Sequence, residues 1–287
     1  MVPGFNLACR LAGEPGAGVL TFPPIYPPML TAPGNASRGL LRSALKLVGS
    51  RWEYDWDGLD ALHKEDARLL LLCNPHNPVG RAWTRDELTR MAWQAEKHDW
   101  LICSDDIHCG LVIDPAARYT PIAALDEAVA QRTITLMAPS KTWNIPALGC
   151  AFAVIPNAHL RRQYQILARG LMADVNVLGL TACEAAYRDG GPWRAALLDY
   201  LHGNAQRLHA AVNAIPGLHM TPVEATYLAW IDCRALDLPS PQKHFEAHGL
   251  GLSDGRDFGL EGFVRLNFGC SRGLLDEAIV RLQAALT

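Results

Sequence analysis

Lys141 is the only charged residue in the segment LMAPSKTWNIPALGC (136–150), which lies between two apolar runs. A lysine whose amine is removed from water has a lowered pKa and becomes a nucleophile that can form a Schiff base. The other interpretation is a lysine whose aliphatic stem is buried while its ammonium group reaches solvent. The segment by itself leaves both interpretations open.

Asn77 and Arg265 are two further candidates for binding a ligand. The segment LLLLCNPHNPVGR (69–81) ends an apolar strand in a turn, where two prolines and Gly80 would hold the Asn77 amide at a fixed position. In GFVRLNFGC (262–270), the residues around Arg265 alternate as in a strand, and a guanidinium suits bidentate capture of a carboxylate. An ordinary tight turn and a solvent-facing strand arginine are the alternatives.

A group of ionisable side chains follows a third predicted strand, in LICSDDIHCG (101–110). Asp105 could pair with a cationic ring, whereas Asp105, Asp106 and His108 together could ligate a metal. The absence of a second ligand cluster in the sequence argues against the metal. A polar strand end that faces water is the third interpretation. Because open α/β sheets bind ligands where their strands end, all these segments are candidates for one site.

The elements that must position these residues alternate between strands and helices. Buried strands are predicted for the short apolar runs at 18–22, 68–74, 100–105, 133–137 and 149–155. Helices are predicted at 5–12 and at 84–99, where Thr84 and Glu87 have the spacing of a capping box. This alternation predicts an α/β fold with a mainly parallel sheet.

The pattern changes near residue 190 and predicts a smaller α+β unit. Its predicted elements are helices at 193–214, at 240–248 and from 272, and strands at 226–232 and 263–269. A large domain over 1–190 and a small domain over 191–287 are therefore expected. In the large domain, Trp52, Tyr54 and Trp56 follow a period of two and are expected on one strand face as packing residues.

Composition excludes several classes of function. A net charge of −3 argues against nucleic acid or an anionic membrane as the main partner. The sequence has neither an apolar run of about 18 residues that could span a membrane nor the pattern of a signal peptide. The eight scattered cysteines lack metal-ligand spacing and are expected to be buried, reduced thiols of a cytoplasmic protein. Walker, dinucleotide-binding and serine-hydrolase motifs do not occur.

Five segments, taken together and in order, resemble a known family. PPIYPP, NPHNPVGR, SDDIH, APSKTWNI and RLNFGC are similar to motifs of the class I/II aminotransferase superfamily, the pyridoxal-phosphate-dependent fold type I. The residues of CNPHNPVGR, SD-x-IH and SKT-x-NI are similar to the corresponding motifs of the cystathionine β-lyase-like carbon–sulfur lyases of the MalY/PatB type. The resemblance covers essentially the whole chain and implies a large α/β domain that binds pyridoxal 5'-phosphate, with a smaller α+β domain.

The resemblance implies a role for each matching residue. Lys141 matches the lysine that forms a Schiff base with the cofactor and, once freed, removes the substrate Cα proton. Asp105 matches the carboxylate that pairs with the protonated pyridine nitrogen and keeps the ring an electron sink. Asn77 matches the amide that hydrogen-bonds the phenolic oxygen of the ring, and Tyr26 matches the aromatic side chain that stacks on its face.

Four further residues match family positions around the cofactor and the substrate. Arg265 matches the arginine that binds the substrate α-carboxylate. His108 stands near the phenolic oxygen, where many aminotransferases have a tyrosine and the lyase branch has a histidine. Ser140 and Thr142 match positions that contact the phosphate or the ring.

The reaction that the resemblance implies is α,β-elimination of cystathionine or a cysteine S-conjugate, which yields a thiol, pyruvate and ammonia. An aminotransferase, which shares the first step, is one alternative. A non-catalytic remnant that binds a partner or regulates transcription is the other. Since members of the family are homodimers, a cytoplasmic homodimer acting on a small sulfur-containing amino acid is expected.

The chain departs from the family pattern at its N-terminal end. Family members have roughly 90 residues before the point that Met1 matches, so the resemblance implies that Met1 falls within the phosphate-binding turn at a helix N-terminus, where backbone N–H groups bind the anion. An N-terminal strand of the large domain and part of the small domain would then be missing. Weak cofactor binding and low activity are therefore expected for these 287 residues. Asp106, in place of a glutamate, and Pro146, in NIPAL, are smaller departures.

Overall fold

Twelve strands and ten α-helices are described in the computed structural model, which covers residues 1–62 and 66–286. The strands are β1 (Gly18–Thr21), β2 (Gly39–Arg42), β3 (Leu45–Val48), β4 (Arg51–Tyr54), β5 (Ala67–Cys73), β6 (Leu101–Asp105), β7 (Thr133–Met137), β8 (Phe152–Val154), β9 (His219–Met220), β10 (Leu228–Asp232), β11 (Ser253–Asp254) and β12 (Phe263–Asn267). The helices are α1 (Val2–Leu11), α2 (Pro27–Asn35), α3 (Trp56–Ala61), α4 (Arg85–Lys97), α5 (Glu127–Gln131), α6 (Ala158–Ala168), α7 (Val177–Asp189), α8 (Gly191–Asn213), α9 (Pro241–Ala247) and α10 (Arg272–Ala284).

The larger sheet has six strands in the order β2–β1–β5–β6–β7–β8. All neighbouring strands run parallel except β7 and β8. Successive residues of β5 point to opposite faces. Leu70 and Leu72 belong to a buried cluster with residues of α4, whereas Leu69 and Leu71 belong to one with residues of α1 and α2. Helices therefore cover both faces, and the predicted α/β fold with a mainly parallel sheet is confirmed.

Helix α4 begins where the sequence predicts. The Thr84 hydroxyl accepts a hydrogen bond from the Glu87 N–H at 3.2 Å, and Oε2 of Glu87 accepts one from the Thr84 N–H at 2.8 Å. This reciprocal pair is the predicted capping box, which satisfies two N–H groups that the helix itself leaves without partners.

A second, antiparallel sheet with the order β11–β12–β10–β9 forms the C-terminal part of the chain. It packs with α8, α9 and α10 in a separate buried cluster that includes Leu208, Ile231, Phe245 and Val264. The predicted division of the chain into domains at residue 190 stays a prediction, and α8 begins at Gly191.

Two predictions about individual elements are wrong. Residues 149–155 are not a buried strand, because β8 covers only Phe152–Val154 and all three of its side chains are exposed. β8 is the edge strand of its sheet, so its apolar composition does not by itself establish burial. Trp56 is not on a strand, because β4 ends at Tyr54 and Trp56 begins α3. Its ring nevertheless packs with its centre 5.2 Å from that of Tyr54.

Over residues 1–62 and 66–286, no helix is both long and apolar enough to cross a membrane. All eight cysteines are free thiols, and most of them are buried. The same part of the chain contains no group of three or more histidine, cysteine or carboxylate side chains that could hold a metal ion.

Candidate active site

Three neighbouring parallel strands, β5, β6 and β7, end at the same edge of the larger sheet. Asn77 lies in the loop after β5, and Lys141 lies in the loop after β7. Asp105 is the last residue of β6, and His108 follows it. The order of the strands thus brings four predicted site residues to the edge where open α/β sheets bind ligands.

Arg265 reaches the same edge from the smaller sheet. It lies in the middle of β12, and its Nη1 donates a hydrogen bond to Oδ1 of Asn77 at 3.0 Å. Its Nη2 donates to the Ser253 hydroxyl at 3.3 Å. Its guanidinium carbon lies 4.6 Å from the centre of the Phe258 ring. The two sheets therefore meet at the site through Arg265.

The guanidinium of Arg265 is available to bind an anion. Burial lowers the pKa of Arg265 from its usual value, and the nearby phenol groups of Tyr26 and Tyr227 act in the opposite direction. Arginine nevertheless stays charged in proteins. Its two side-chain hydrogen bonds go to neutral acceptors, and no carboxylate in the described part of the chain pairs with it. A partly buried cation without a carboxylate partner favours an anionic ligand.

Asp105 is buried, with only 3% of its surface exposed. One carboxylate oxygen accepts a hydrogen bond from the Ile107 N–H at 3.2 Å, and the other has no hydrogen-bond partner among residues 1–62 and 66–286. Burial raises the pKa of Asp105 to about 6, while the Ile107 hydrogen bond and the charge of Lys141 oppose this shift. A cation beside the free oxygen would stabilise the ionised form. The interpretation of this segment as a strand end that faces water is therefore wrong.

His108 is buried and neutral. Burial lowers the pKa of His108 to about 3, and the charges of Lys141 and Arg265 act in the same direction. Its Nδ1 is buried and has no hydrogen-bond partner among the described residues. Its ring lies edge-on to that of Tyr227, with the ring centres 6.3 Å apart. Since buried polar atoms rarely stay without a partner, the unpaired Nδ1 points to a ligand.

Lys141 is half-buried between these groups. Burial lowers the pKa of Lys141, the charge of Arg265 lowers it further, and the Asp105 carboxylate opposes both effects. Its amine forms neither a hydrogen bond nor an ion pair with any residue that the structure describes. A lysine in such surroundings is neutral at a lower pH than a surface lysine, which favours a nucleophilic role.

The remaining predicted residues lie around this group in different ways. Tyr26 directly precedes α2, where burial raises the pKa of its phenol and the Asp105 carboxylate acts in the same direction. Ser140 lines a cavity of about 450 Å³ together with the N-terminal end of α1. Thr142 is buried against Gly110 and does not line that cavity. Tyr26 therefore lies near Asp105 and Arg265, and Ser140 borders the cavity, whereas Thr142 packs against Gly110.

Asp106 is a buried carboxyl group whose partners the sequence does not reveal. It accepts hydrogen bonds from the hydroxyls of Ser104 and Tyr119, and none of its surface is exposed. Burial raises the pKa of Asp106 to about 7, the two hydroxyls oppose the shift, and the charge of Asp105 adds to it. Tyr119 lies 13 residues further along in a loop, so no local pattern connects it with β6.

Three residues beside Arg265 and His108 carry no recognisable signal in the sequence. Ser253 lies in β11, a strand of two residues, and pairs with Arg265 in register. Phe258 follows in a short 3₁₀ turn, and Tyr227 directly precedes β10. Elements this short leave no periodic signal in a sequence, so only the antiparallel pairing reveals these neighbours.

Buried ion pairs hold the loop that carries Asn77. Arg81 is only 2% exposed, and its Nε donates to Oε2 of Glu224 at 3.0 Å. Its Nη2 donates to both carboxylate oxygens of Glu87, at 3.0 and 2.8 Å. The His76 N–H donates to the Arg81 carbonyl at 2.7 Å, which closes the loop around Asn77. The loop is thus fixed to α4 and to the segment before β10.

A protein-family model and one relative both match nearly the full length of the chain. The family model described as aminotransferase class I and II matches residues 4–282, which include all of the site residues above. The chain is 32% identical over 295 residues to cystathionine β-lyase PatB of Bacillus subtilis. That alignment covers 100% of this chain and 76% of PatB.

Two solved structures have closely similar folds. The crystal structure of OvoB matches with a TM-score of 0.98 at 47% sequence identity, covering 100% of this chain and 76% of the OvoB chain. The crystal structure of cystalysin from Treponema denticola, which contains a pyridoxal 5'-phosphate cofactor, matches with a TM-score of 0.93 at 31% identity. It covers 99% of this chain and 74% of the cystalysin chain.

Proposed function

The chain belongs to the aminotransferase class I and II family, and from this membership we propose that it is a pyridoxal-phosphate-dependent carbon–sulfur β-lyase. The predicted resemblance to this family and to its cystathionine β-lyase branch is confirmed. The proposed reaction is α,β-elimination from a cysteine S-conjugate, which releases a thiol, pyruvate and ammonia. The observation that carries the proposal is the meeting of Lys141, Asp105 and Arg265 at one sheet edge.

The unpaired groups at this edge fit pyridoxal 5'-phosphate. Asp105 is a buried residue with one carboxylate oxygen that has no hydrogen-bond partner among the described residues, which suits a protonated pyridine nitrogen. His108 offers a buried, unpaired Nδ1, and Lys141 offers an unpaired amine for the aldehyde. The cavity beside Ser140 lies at the N-terminal end of α1, where backbone N–H groups favour a phosphate. Each functional group of the cofactor thus has a candidate partner in the chain.

Asn77 and Tyr26 complete the proposed cofactor contacts. Because Arg265 donates to Oδ1 of Asn77, the Asn77 NH₂ group remains able to donate to the phenolic oxygen of the ring. His108 would contact the same oxygen from the side, and Tyr26 would stack on the ring. When bound, the cofactor supplies an electron sink for the charge left behind when the α-proton of an amino acid is removed.

Arg265 and Lys141 act on the amino-acid substrate in this proposal. Arg265 would bind the α-carboxylate with its guanidinium fork, for which no described carboxylate competes. Lys141 would remove the Cα proton as a neutral amine, and burial together with the Arg265 charge lowers the pKa of Lys141 toward that form. The charge of Arg265 therefore serves both substrate binding and activation of the base.

The lyase is favoured over an aminotransferase because the name of the curated relative PatB is cystathionine β-lyase. Both reactions begin with removal of the Cα proton, and they differ in whether a β-substituent leaves or the cofactor carbon is protonated. We further propose that the protein acts as a cytoplasmic homodimer.

The test is the formation of pyruvate from cystathionine or an S-substituted cysteine by purified protein supplied with pyridoxal phosphate. Pyruvate without any 2-oxo acid acceptor supports the lyase, and product only in the presence of an acceptor supports the aminotransferase. Borohydride reduction followed by mass spectrometry measures covalent attachment of the cofactor. Lys141→Ala should abolish both attachment and product, whereas Lys243→Ala, at an exposed lysine, should change neither. If no cofactor attaches and Lys141→Ala changes nothing, both enzyme functions are excluded and a binding or regulatory protein remains.

A further inference from the structure

We propose that Tyr227 forms an aromatic wall of the substrate pocket and selects cysteine S-conjugates whose sulfur carries an uncharged aromatic group. This inference rests on the proposed function and adds the class of substrate to it. Cystathionine, whose distal end carries an ammonium and a carboxylate, is then a poor substrate.

Tyr227 lies beside His108 and near Arg265. Its ring lies edge-on to that of His108, with the ring centres 6.3 Å apart. The charges of Lys141 and Arg265 both lower the pKa of His108, so this histidine is near both of them. In the proposed arrangement, a substrate held by its carboxylate at Arg265, with its Cα at Lys141, extends its β-substituent along Tyr227.

The backbone before Tyr227 is held in a strained conformation. Thr226 is fully buried and has a φ of 76°, which β-branched residues rarely adopt. Such a conformation is energetically unfavourable and is typical of functional sites, where the surrounding structure enforces it. Here the Thr226 N–H donates to the Leu111 carbonyl at 2.8 Å, and the Tyr227 carbonyl accepts from the Phe268 N–H at 2.9 Å. Backbone hydrogen bonds of Thr226 and Tyr227 thus fix the position from which the Tyr227 ring extends.

Gly269 provides the space in which this ring lies. A Cβ atom at this position would lie 3.1 Å from Cγ of Tyr227, which is closer than ordinary van der Waals contact. Gly269 does not have a positive φ, so its backbone accepts alanine. Gly269→Ala would therefore press on the Tyr227 ring and on Oδ1 of Asn267, which also lies 3.1 Å from that Cβ position, and neither residue is among the proposed cofactor contacts.

The surroundings of Tyr227 disfavour a second charged group on the substrate. Burial raises the pKa of Tyr227 and the charge of Arg265 opposes this shift, while no carboxylate among the described residues forms a hydrogen bond with Tyr227. His108 beside it is neutral, because burial lowers its pKa to about 3. The distal ammonium of cystathionine would have no carboxylate partner there, and burying an unpaired charge is costly. An aromatic substituent would instead gain ring contacts with Tyr227.

Two amino acids without a β-leaving group test the pocket independently of β-elimination. Homophenylalanine places an uncharged ring where an S-aryl group would lie, and 2,7-diaminosuberate is the all-carbon analogue of cystathionine. Isothermal titration calorimetry on the full chain with bound pyridoxal phosphate measures both dissociation constants. For the unchanged protein, homophenylalanine should bind at least about tenfold more tightly, which corresponds to about 1.4 kcal/mol.

Variants then assign this preference to Tyr227. Tyr227→Ala should weaken homophenylalanine binding about tenfold and change diaminosuberate binding less than about twofold, because only the aromatic contact is lost. Tyr227→Phe should retain the preference, and Gly269→Ala should reduce it with an unchanged circular dichroism spectrum. The inference is overturned if diaminosuberate binds as tightly as homophenylalanine, if Tyr227→Ala weakens both alike, or if homophenylalanine does not bind. If pyruvate forms but the binding preference is absent, the proposed lyase activity is supported and the role of Tyr227 is contradicted. If the preference is present but no pyruvate forms, the role of Tyr227 is supported and the lyase activity is contradicted.

Discussion

Arg265 and Asn77 are 188 residues apart in the sequence, and Nη1 of Arg265 donates a hydrogen bond to Oδ1 of Asn77 at 3.0 Å. The contact joins β12 of the smaller sheet to the loop after β5 of the larger sheet. It also orients the Asn77 amide, because the oxygen is occupied and the NH₂ group faces elsewhere. In the proposed function one partner binds the substrate and the other the cofactor, so this hydrogen bond links the two binding sites.

Replacing Arg265 by lysine is expected to weaken amino-acid binding about tenfold to a hundredfold. Lysine keeps the positive charge but lacks the planar fork, so it cannot contact Asn77 and both oxygens of a carboxylate together. The dissociation constant of homophenylalanine and the KM of the substrate measure the effect. Arg256→Lys is the matched control, because Arg256 is exposed and pairs with Asp254 at 2.6 Å. Equal effects of the two substitutions would contradict the role of Arg265.

Replacing Asp105 by asparagine is expected to weaken the binding of pyridoxal phosphate by about tenfold or more. The reason is that removing one partner of a buried charge pair costs several kcal/mol. Asparagine has nearly the same shape, so the loss reports on charge. Titration of the protein with the cofactor, followed by absorbance, gives the dissociation constant. Asp257→Asn, at an exposed aspartate, serves as the control. Unchanged cofactor affinity in Asp105→Asn would rule out the proposed contact with the pyridine nitrogen.

The central part of the site could be predicted because its signals are local. Strands β5, β6 and β7 are apolar runs that end in polar residues, and parallel strands place those ends at one edge. Asn77, Asp105 and Lys141 therefore meet where the sequence indicates. The capping box of α4 was predictable for the same reason, since Thr84 and Glu87 are three residues apart.

Features that depend on distant neighbours could not be predicted. Whether Phe152 is buried depends on the position of β8 at the edge of the sheet, and not on its composition. The contact of Arg265 with Ser253 depends on the register between two antiparallel strands. The hydrogen bond from Tyr119 to Asp106 depends on the path of a loop. None of these contacts produces a periodic pattern of apolar residues.

Replacing Asp106 by asparagine is expected to flatten the dependence of folding stability on pH. Burial raises the pKa of Asp106 from 3.8 to about 7. The raised native pKa means that the contribution of Asp106 to stability is fully present below about pH 4 and is lost as the pH rises toward 7. Asparagine does not ionise, so the variant should gain stability relative to the unchanged protein, on the order of a few kcal/mol, between pH 5 and pH 8.

Urea denaturation of both proteins at pH 5 and pH 8 measures this difference. Asp257→Asn is again the control, because it makes the same substitution at an exposed aspartate. A constant difference in unfolding free energy between Asp106→Asn and the unchanged protein at the two pH values would contradict the raised pKa of Asp106.

Replacing Arg81 by alanine is expected to lower the free energy of unfolding by about 3–5 kcal/mol. Arg81 is buried, and its loss would leave the carboxylates of Glu224 and Glu87 without their buried cation. Arg51 also pairs with Glu224, at 2.7 Å, but its side chain is 43% exposed, so it compensates only in part. Chemical denaturation measures the loss, and Arg85→Ala, at an exposed arginine on the same helix as Glu87, is the control.

The double variant Arg81→Ala/Glu224→Gln separates the charge effect from the loss of packing. Because the glutamine side chain of this variant carries no charge, part of the lost stability should return if an unpaired Glu224 carboxylate is the main cause. Since the Arg81 side chain fixes the loop that carries Asn77 to Glu224 and Glu87, the single variant should also weaken homophenylalanine binding through Arg265. A stability loss no larger than that of Arg85→Ala would mean that the loop holds Asn77 without this ion pair.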